Sequence, residues 1–416
     1  MKPTRPLIVI LLITAAHYFH HQLTALVVPL LPFMRDGFDL SYTQAGGLVS
    51  AFALSYGIGQ LPAGWLADRI GPRYLLLAGI SGVALAGILV GLSQTYLALV
   101  VFLVVMGIMG GGYHPSATPI ISMAVPQAQR GRAVGIHLMG GSASHLVAPL
   151  LGVAIAGFLG WRGSFLVIAA PVLVLGIVVF VVFGRLSFAS APSAPSARAS
   201  MTGAGTAISG ETATTRPYDA RAVAFFVAMT GVIAALTAST VAFVPLFLVD
   251  AIRITESQAA LGLALFYSAG LWAAPIGGVL ADRFGATRVF AVVTVVSGPL
   301  VLLMAFSPAA VPAVVALVAL GVTMFVRMTV SESYLVDAVP PARRSTVLGI
   351  YFFAGMEGSG IVTPLLGNLI DRFGFRVAFT VSGTAMIVLL GALALGSVVM
   401  TGHFRQRSAP GILRAP

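Results

Sequence analysis

The sequence predicts an all-α membrane protein with twelve transmembrane helices in two related halves of six. Three observations predict it. Of 416 residues, 58% are hydrophobic and 8% charged, and the mean hydropathy is +1.01; one water-soluble core cannot enclose that much apolar surface. Twelve apolar runs approach the ~20 residues that a helix needs to cross a bilayer. A short motif also occurs twice at a constant offset: Gly64-Trp-Leu-Ala-Asp68-Arg69-Ile-Gly71-Pro-Arg73 returns as Gly278-Val-Leu-Ala-Asp282-Arg283-Phe-Gly285-Ala-Thr-Arg288. The same shift, without a gap, superposes Gln44 on Gln258, Pro126 on Pro340, Arg130 on Arg344, and Gly160, Arg162 and Phe165 on Gly374, Arg376 and Phe379. A repeat of this length marks a duplicated half, and duplicated membrane halves usually enclose a transport site.

The expected spans are 7–33, 44–66, 74–93, 97–122, 132–157 and 163–184, then 221–249, 258–280, 287–306, 311–336, 346–369 and 375–400. Lys2 and Arg5 before the first run resemble a signal peptide, but the run continues to Phe33 without a convincing small-residue cleavage site and reads as a retained helix. Gly140, Ser144, Ala148 and Gly152 recur every four residues in the fifth span, a stripe suited to close helix packing, with Pro149 beside it as a bend. Between Arg185 and Arg221 the chain turns to Ser, Ala, Thr, Pro and Gly without apolar periodicity. That segment reads as a tether. The expected organisation is one bundle over 1–184, a linker over 185–220, a second bundle over 221–402 and a basic tail over 403–416 suited to anionic headgroups.

The formal charge of +11 is distributed by side. Arg35, Arg162, Arg253, Arg372 and Arg376 fall in loops on one face, Arg327 lies within a span, and the other seventeen of the 23 Lys and Arg fall on the opposite face. This asymmetry places both termini in the cytoplasm and differs from the clustered basic face of a nucleic-acid binder. With no cysteine, disulfides, thiolate metal sites and cysteine nucleophiles are excluded. No Gly-x-Ser-x-Gly or His-Glu-x-x-His motif is present, so the sequence reads as no enzyme. No cofactor and no metal are expected.

The loop motifs resemble the Major Facilitator Superfamily over essentially the whole chain. Gly64, Asp68, Arg69, Gly71 and Arg73 match its loop between the second and third helices, and Gly278, Asp282, Arg283, Gly285 and Arg288 match the copy between the eighth and ninth. The resemblance implies two six-helix bundles related by a pseudo-twofold axis along the membrane normal, rocking about a central cavity. It also implies that Asp68 latches the cytoplasmic side in the outward-facing state. Independently of the family, a carboxylate beside arginines can bond to the facing half, and Gly71 permits the turn. A plain positive-inside loop is the alternative.

Ala16-His17 and His21, Gly110-Gly111-Gly112-Tyr113-His114-Pro115, Gly140-Gly141 and Pro149-Leu150-Leu151 resemble the fosmidomycin-resistance type of exporter. His21 stands where that group tends to carry an acid. Gly131, Gly140, Pro149 and Gly152 resemble the superfamily's antiporter signature, in which Ser144, Ala148 and Val153 replace glycines.

Six of the seven histidines lie in expected spans: His17, His20, His21, His114, His137 and His145. Ionisable groups at that depth are functional candidates. His17, His20 and His21 share one helix face. His17, His20, His21, Tyr113, His114, His145 and Arg327 are the candidate substrate contacts; Glu357, His21, His114 and His137 are the candidate proton carriers. Rings that only brace neighbouring helices are the alternative. His17 and His21, one turn apart, also have metal-ligand spacing, but no Asp, Glu or Cys stands near. Arg327 and Glu357 sit at similar depth and are expected to meet, either as a permanent pair or as one that an anionic substrate opens. Glu332 and Asp337 read as gate partners nearer the cytoplasm.

These residues predict proton-coupled efflux of a small organic anion or drug across the inner membrane, by a monomer whose partners are its substrate, protons and lipid. Proton-linked uptake of a carboxylate is the runner-up. A transport-dead sensor or scaffold is the reading from another class.

Overall fold

The computed structural model describes residues 2–3, 6–126, 129–187 and 219–407; most of the expected linker and the end of the tail lie outside the described residues. Lipid offers no hydrogen bonds to a peptide group, so apolar runs in a bilayer must satisfy their own backbone as helices. The described chain is helical almost throughout. In the first half α1 (Pro6–Thr24) and α2 (Leu31–Phe38) form the first span, and α3 (Tyr42–Ile70) the second. α4 (Pro72–Leu77) and α5 (Val83–Leu92) form the third, joined by a π-helical turn, and α6 (Tyr96–Gly110) and α7 (Tyr113–Ala124) the fourth. α8 (Arg130–Arg185) holds the fifth and sixth, broken at Gly160. In the second half α9 (Ala220–Leu246), α10 (Glu256–Phe284), α11 (Ala286–Ala305) and α12 (Ala310–Ala338) give one span each. α13 (Pro341–Arg407) gives two, broken at Gly374. Each expected span falls on helix. The main differences are the breaks: the first span turns at 25–30 instead of running straight, and the fourth turns at Gly111 and Gly112.

The duplication is written into the backbone. Asp39 and Arg253, Gly71 and Gly285, and Gly160 and Gly374 are the described positive-φ residues, and the members of each pair stand 214 positions apart. Two helix starts repeat at the same offset. Ser41 and Gln44 cap α3 reciprocally, and Thr255 and Gln258 do the same for α10. Both devices satisfy peptide N–H groups that a helix start leaves without partners.

The small-residue stripe packs as its spacing predicts. Gly140 admits the main chain of Thr14, and Gly152 the side chain of Leu26, which brings α8 against α1. Large apolar side chains remain on the outside, among them Leu61 at 68%, Val174 at 61% and Ile361 at 63% exposure. Water does not tolerate such a surface, but lipid does.

At Gly160 (φ 70°, ψ 167°) the conformation is one that only glycine adopts readily. Gly160→Ala should cost about 1–3 kcal/mol and lower the melting temperature in detergent. Gly157→Ala, at a helical position with open space, should hold or raise it. Equal effects of the two substitutions would show that the break carries no strain.

Candidate functional site

Two polar constellations stand out, one at an end of the bundle and one in its interior. The first joins the halves at the end opposite the repeated motif loops. Helix α3 begins at Tyr42, and its first two peptide N–H groups lack intrahelical acceptors. Asp371, in the short connection between the last two spans, supplies them. Its carboxylate accepts from Tyr42 N–H at 2.8 Å and Thr43 N–H at 2.8 Å, and from the Thr43 hydroxyl at 2.5 Å. Gln44 N–H goes to Ser41 Oγ at 3.2 Å, so the first turn is satisfied by two residues from opposite halves. Beside it the Tyr42 hydroxyl donates to Asp250 at 2.8 Å, and Arg35 pairs with Asp250 at 3.5 Å while stacking over the Tyr42 ring at 4.5 Å. Deeper, the Ser50 hydroxyl donates to Gly360 O. Gly46 lets α3 approach the main chain of Thr363 and Pro364 in α13.

Burial alone would raise the Asp371 carboxyl, but the donors from Thr43 and Tyr42 outweigh it and hold its pKa below the usual 3.8. A depressed carboxylate pKa stabilises the bonded state above the ordinary value, and that contribution is lost as pH falls through the depressed one. The clamp therefore stays charged at every physiological pH.

The second constellation lies within the first half. His17 stacks on His137 with ring centroids 4.2 Å apart and on Tyr113 at 5.4 Å, and meets His21 at 4.8 Å and His114 at 5.3 Å. His20 stacks on Tyr113 at 4.6 Å, and His21 lies 4.9 Å from His145. The sequence brings them together locally. Residues 17, 20 and 21 share a face of α1, and the turn at Gly111–Gly112 starts α7 with Tyr113 and His114 beside it. Gly141 of α8 leaves room for the His17 ring, since a Cβ there would come within 2.6 Å of it. His17 Nδ1 donates to His137 O at 2.8 Å and His20 Nδ1 to Gly79 O at 2.9 Å. The Tyr113 hydroxyl donates to Ile13 O at 3.0 Å. Tyr113 and His20 are fully buried, whereas His21, His114 and His145 keep partial exposure. His145 also stacks on Tyr267 of the second half, at 5.3 Å. All six membrane histidines and Tyr113 thus form one cluster.

Arg327 of α12 is buried in the second half with 4% exposure. Its Nη2 donates to Thr237 Oγ1 at 3.3 Å, and its Nη1 has no hydrogen-bond partner among the described residues. The side chain of Glu357, its expected partner, lies outside the described residues. Glu332 is half-buried and Asp337 exposed on the same helix as Arg327.

The repeated loop motifs sit at the other end. Gly71 and Gly285 adopt φ 92° and 88°, as the turn reading requires. Asp68 has its side chain outside the described residues. Arg73 donates to Phe180 O at 2.9 Å and stacks over that ring at 3.9 Å, Arg69 lies over Trp65 at 4.0 Å, and Arg283 over Phe284 at 5.3 Å. Asp282 and Arg288 are exposed. These arginine contacts stay within one half. With the clamp made at the far end, the bonds to the facing half that the latch reading expects are not seen among the described residues.

The profile of the Major Facilitator Superfamily matches the chain twice, over residues 10–247 and 223–411. The chain belongs to the Major Facilitator Superfamily. It is 34% identical over 139 residues to a probable sulfoacetate transporter, SauU, of Cupriavidus necator, covering 33% of this chain and 32% of that one. It is 29% identical over 161 residues to the multidrug resistance protein MdtG of Salmonella paratyphi C, covering 38% and 40%. These matches span about a third to two fifths of the length of these two curated relatives; the first, like an MFS-type transporter of Bacillus subtilis that is 31% identical over 43% of this chain and 44% of that one, is named as a transporter, not an enzyme. A bacterial homolog of the human lysosomal transporter Spinster, in an inward-facing and occupied conformation, superposes with a TM-score of 0.76 at 18% identity, over 95% of this chain and 96% of that one. That likeness shows the fold.

Sequence reasoning missed the clamp. Its available signal was asymmetry: Asp371 has no carboxylate at the repeat-related position, which is Gly157. Asp371→Asn keeps the shape but removes the charge and one set of acceptors, a loss of roughly 1 kcal/mol or more. Because the chain has no native cysteine, a single Ser50→Cys reports opening. Its reaction with a membrane-impermeant maleimide should speed several-fold when Asp371→Asn is added. An unchanged rate would show that Asp371 does not hold this end shut.

Proposed function

We propose that this chain is a secondary active transporter that exports a small organic anion by alternating access, driven by protons. The observation that carries the reading is Arg327, a cation buried in the second half whose Nη1 has no hydrogen-bond partner among the described residues. A buried charge is costly without a counter-charge, and a carboxylate or sulfonate oxygen at that nitrogen would supply a charge-assisted bond. His21, His114 and His145, partly exposed near the meeting of the halves, are the proposed neighbours of the substrate. His17, His20 and Tyr113 shape that surface from behind. The similarity to a probable sulfoacetate transporter favours an anion. The similarity to a multidrug resistance protein and the local motifs of the fosmidomycin-resistance type favour export.

The side on which the basic residues fall favours cytoplasmic termini, and on this reading the clamp lies at the outer end and the motif loops at the cytoplasmic end. Bundles 1–184 and 221–402 rock about one another, tethered by 185–220. Coupling follows from Glu357: a substrate that occupies Arg327 competes with that carboxylate and frees it to take a proton.

Arg327→Lys keeps the charge but loses the planar fork. In proteoliposomes it should weaken anion transport about tenfold or more while leaving the amount of protein in the membrane unchanged; normal kinetics would remove Arg327 from anion recognition. Uptake of a carboxylate, the runner-up, is separated by comparing right-side-out and inverted vesicles under an imposed pH gradient. A sensor or scaffold would show no radiolabelled flux in either.

A further inference from the structure

The imidazole cluster has a property that anion recognition does not use. Among the described residues, His17, His21 and His114 bring one ring nitrogen each within 4.8 Å of one another. His17 is 3% exposed. Its Nδ1 donates to the main-chain carbonyl of His137 at 2.8 Å, so the remaining lone pair is on Nε2. That buried Nε2 has no hydrogen-bond partner among the described residues. Metal-binding histidines typically show this arrangement, in which a carbonyl or carboxylate takes the N–H of one nitrogen, fixes the tautomer and leaves the other nitrogen basic. His21 Nδ1 lies 3.4 Å from Thr24 Oγ1, and donation there leaves the lone pair on its Nε2. Among the described residues no hydrogen bond holds the His114 ring.

We propose that His17, His21 and His114 form a binding site for a divalent transition-metal ion such as zinc or cobalt. Imidazole nitrogen suits these ions better than it suits calcium or magnesium, which prefer oxygen. With metal–nitrogen bonds of ~2.0–2.1 Å, tetrahedral coordination needs nitrogens about 3.3 Å apart. Side-chain rotation of an ångström or so closes the gap. Three protein ligands leave a fourth position for water or an anion, the composition of an open site. The expectation from sequence that no metal binds rested on the lack of Asp, Glu or Cys near His17 and His21; the third ligand is His114, distant in sequence and brought in by α7.

The site draws on α1 and α7 alone, both in the first half, and so survives any rocking of the halves. His145 stands beside it, 4.9 Å from His21, with its Nδ1 buried and without a hydrogen-bond partner among the described residues, and it stacks on Tyr267 of the other half. An occupant of the fourth position therefore lies next to the contact that changes when the halves move. The proposal does not depend on export of an organic anion, and its test reads binding and not flux.

The test uses full-length protein purified without a polyhistidine tag. Cobalt titration followed by visible absorption should give one tetrahedral ion per chain. His17→Ala, His21→Gln and His114→Ala should each weaken binding by more than the roughly 10–100-fold that loss of an outer-sphere partner costs, whereas His403→Ala should leave it unchanged. X-ray absorption of the wild-type zinc complex keeps the test independent of how well the variants fold. Three imidazoles at about 2.0–2.1 Å are expected. No saturable binding, fewer than two imidazoles on the ion, or folded variants that bind like wild type would overturn the site.

Discussion

Asp371 of one half binds the first two peptide N–H groups of a helix that belongs to the other, and the state of the molecule depends on that contact. A helix start carries partial positive charge and donors without acceptors. Supplying them from across the interface makes closure of this end a matter of backbone chemistry as well as side-chain packing. The contact also suits a reversible joint. It is small and near solvent, so either half can exchange it for water at a cost of roughly a kcal/mol. Tyr42, Asp250 and Arg35 widen the clamp without burying it. Glycine at 46 keeps the two backbones close enough for the bonds to form.

Behind the clamp the two halves differ in chemistry despite their common origin. The duplication governs the backbone: helix starts, breaks and positive-φ turns recur at one offset. It does not govern the interior. Among the described residues, six imidazoles gather in the first half, and a buried guanidinium, that of Arg327, lies in the second. A symmetric scaffold with an asymmetric lining can bind one solute in one orientation and still rock as two similar bodies.

Much of the fold was legible in the sequence because lipid imposes simple rules on length and polarity. The twelve spans, the turn at Gly71 and the small-residue stripe of α8 follow from hydropathy and spacing. Gathering of the histidines was legible in part: His17, His20 and His21 share a face by periodicity alone, but the approach of His114 depends on the break at Gly111–Gly112, where glycines gave a hint and no direction. Asp371 was not legible. Its role comes from a crossing between residues more than 300 positions apart, and no local pattern encodes it. The loop motif shows the opposite case, a strong sequence signal whose arginine contacts, among the described residues, stay within one half.

Alternating access requires the two ends of the bundle to move in opposite senses. Pulsed electron-spin resonance in lipid measures this directly on a chain without native cysteines. One spin-label pair is placed across the clamped end, at Asp36 and Arg372, and another across the motif end, at Arg69 and Arg283. Conditions that lengthen the first distance should shorten the second. Two distances that stay fixed, or that lengthen together, would contradict the account.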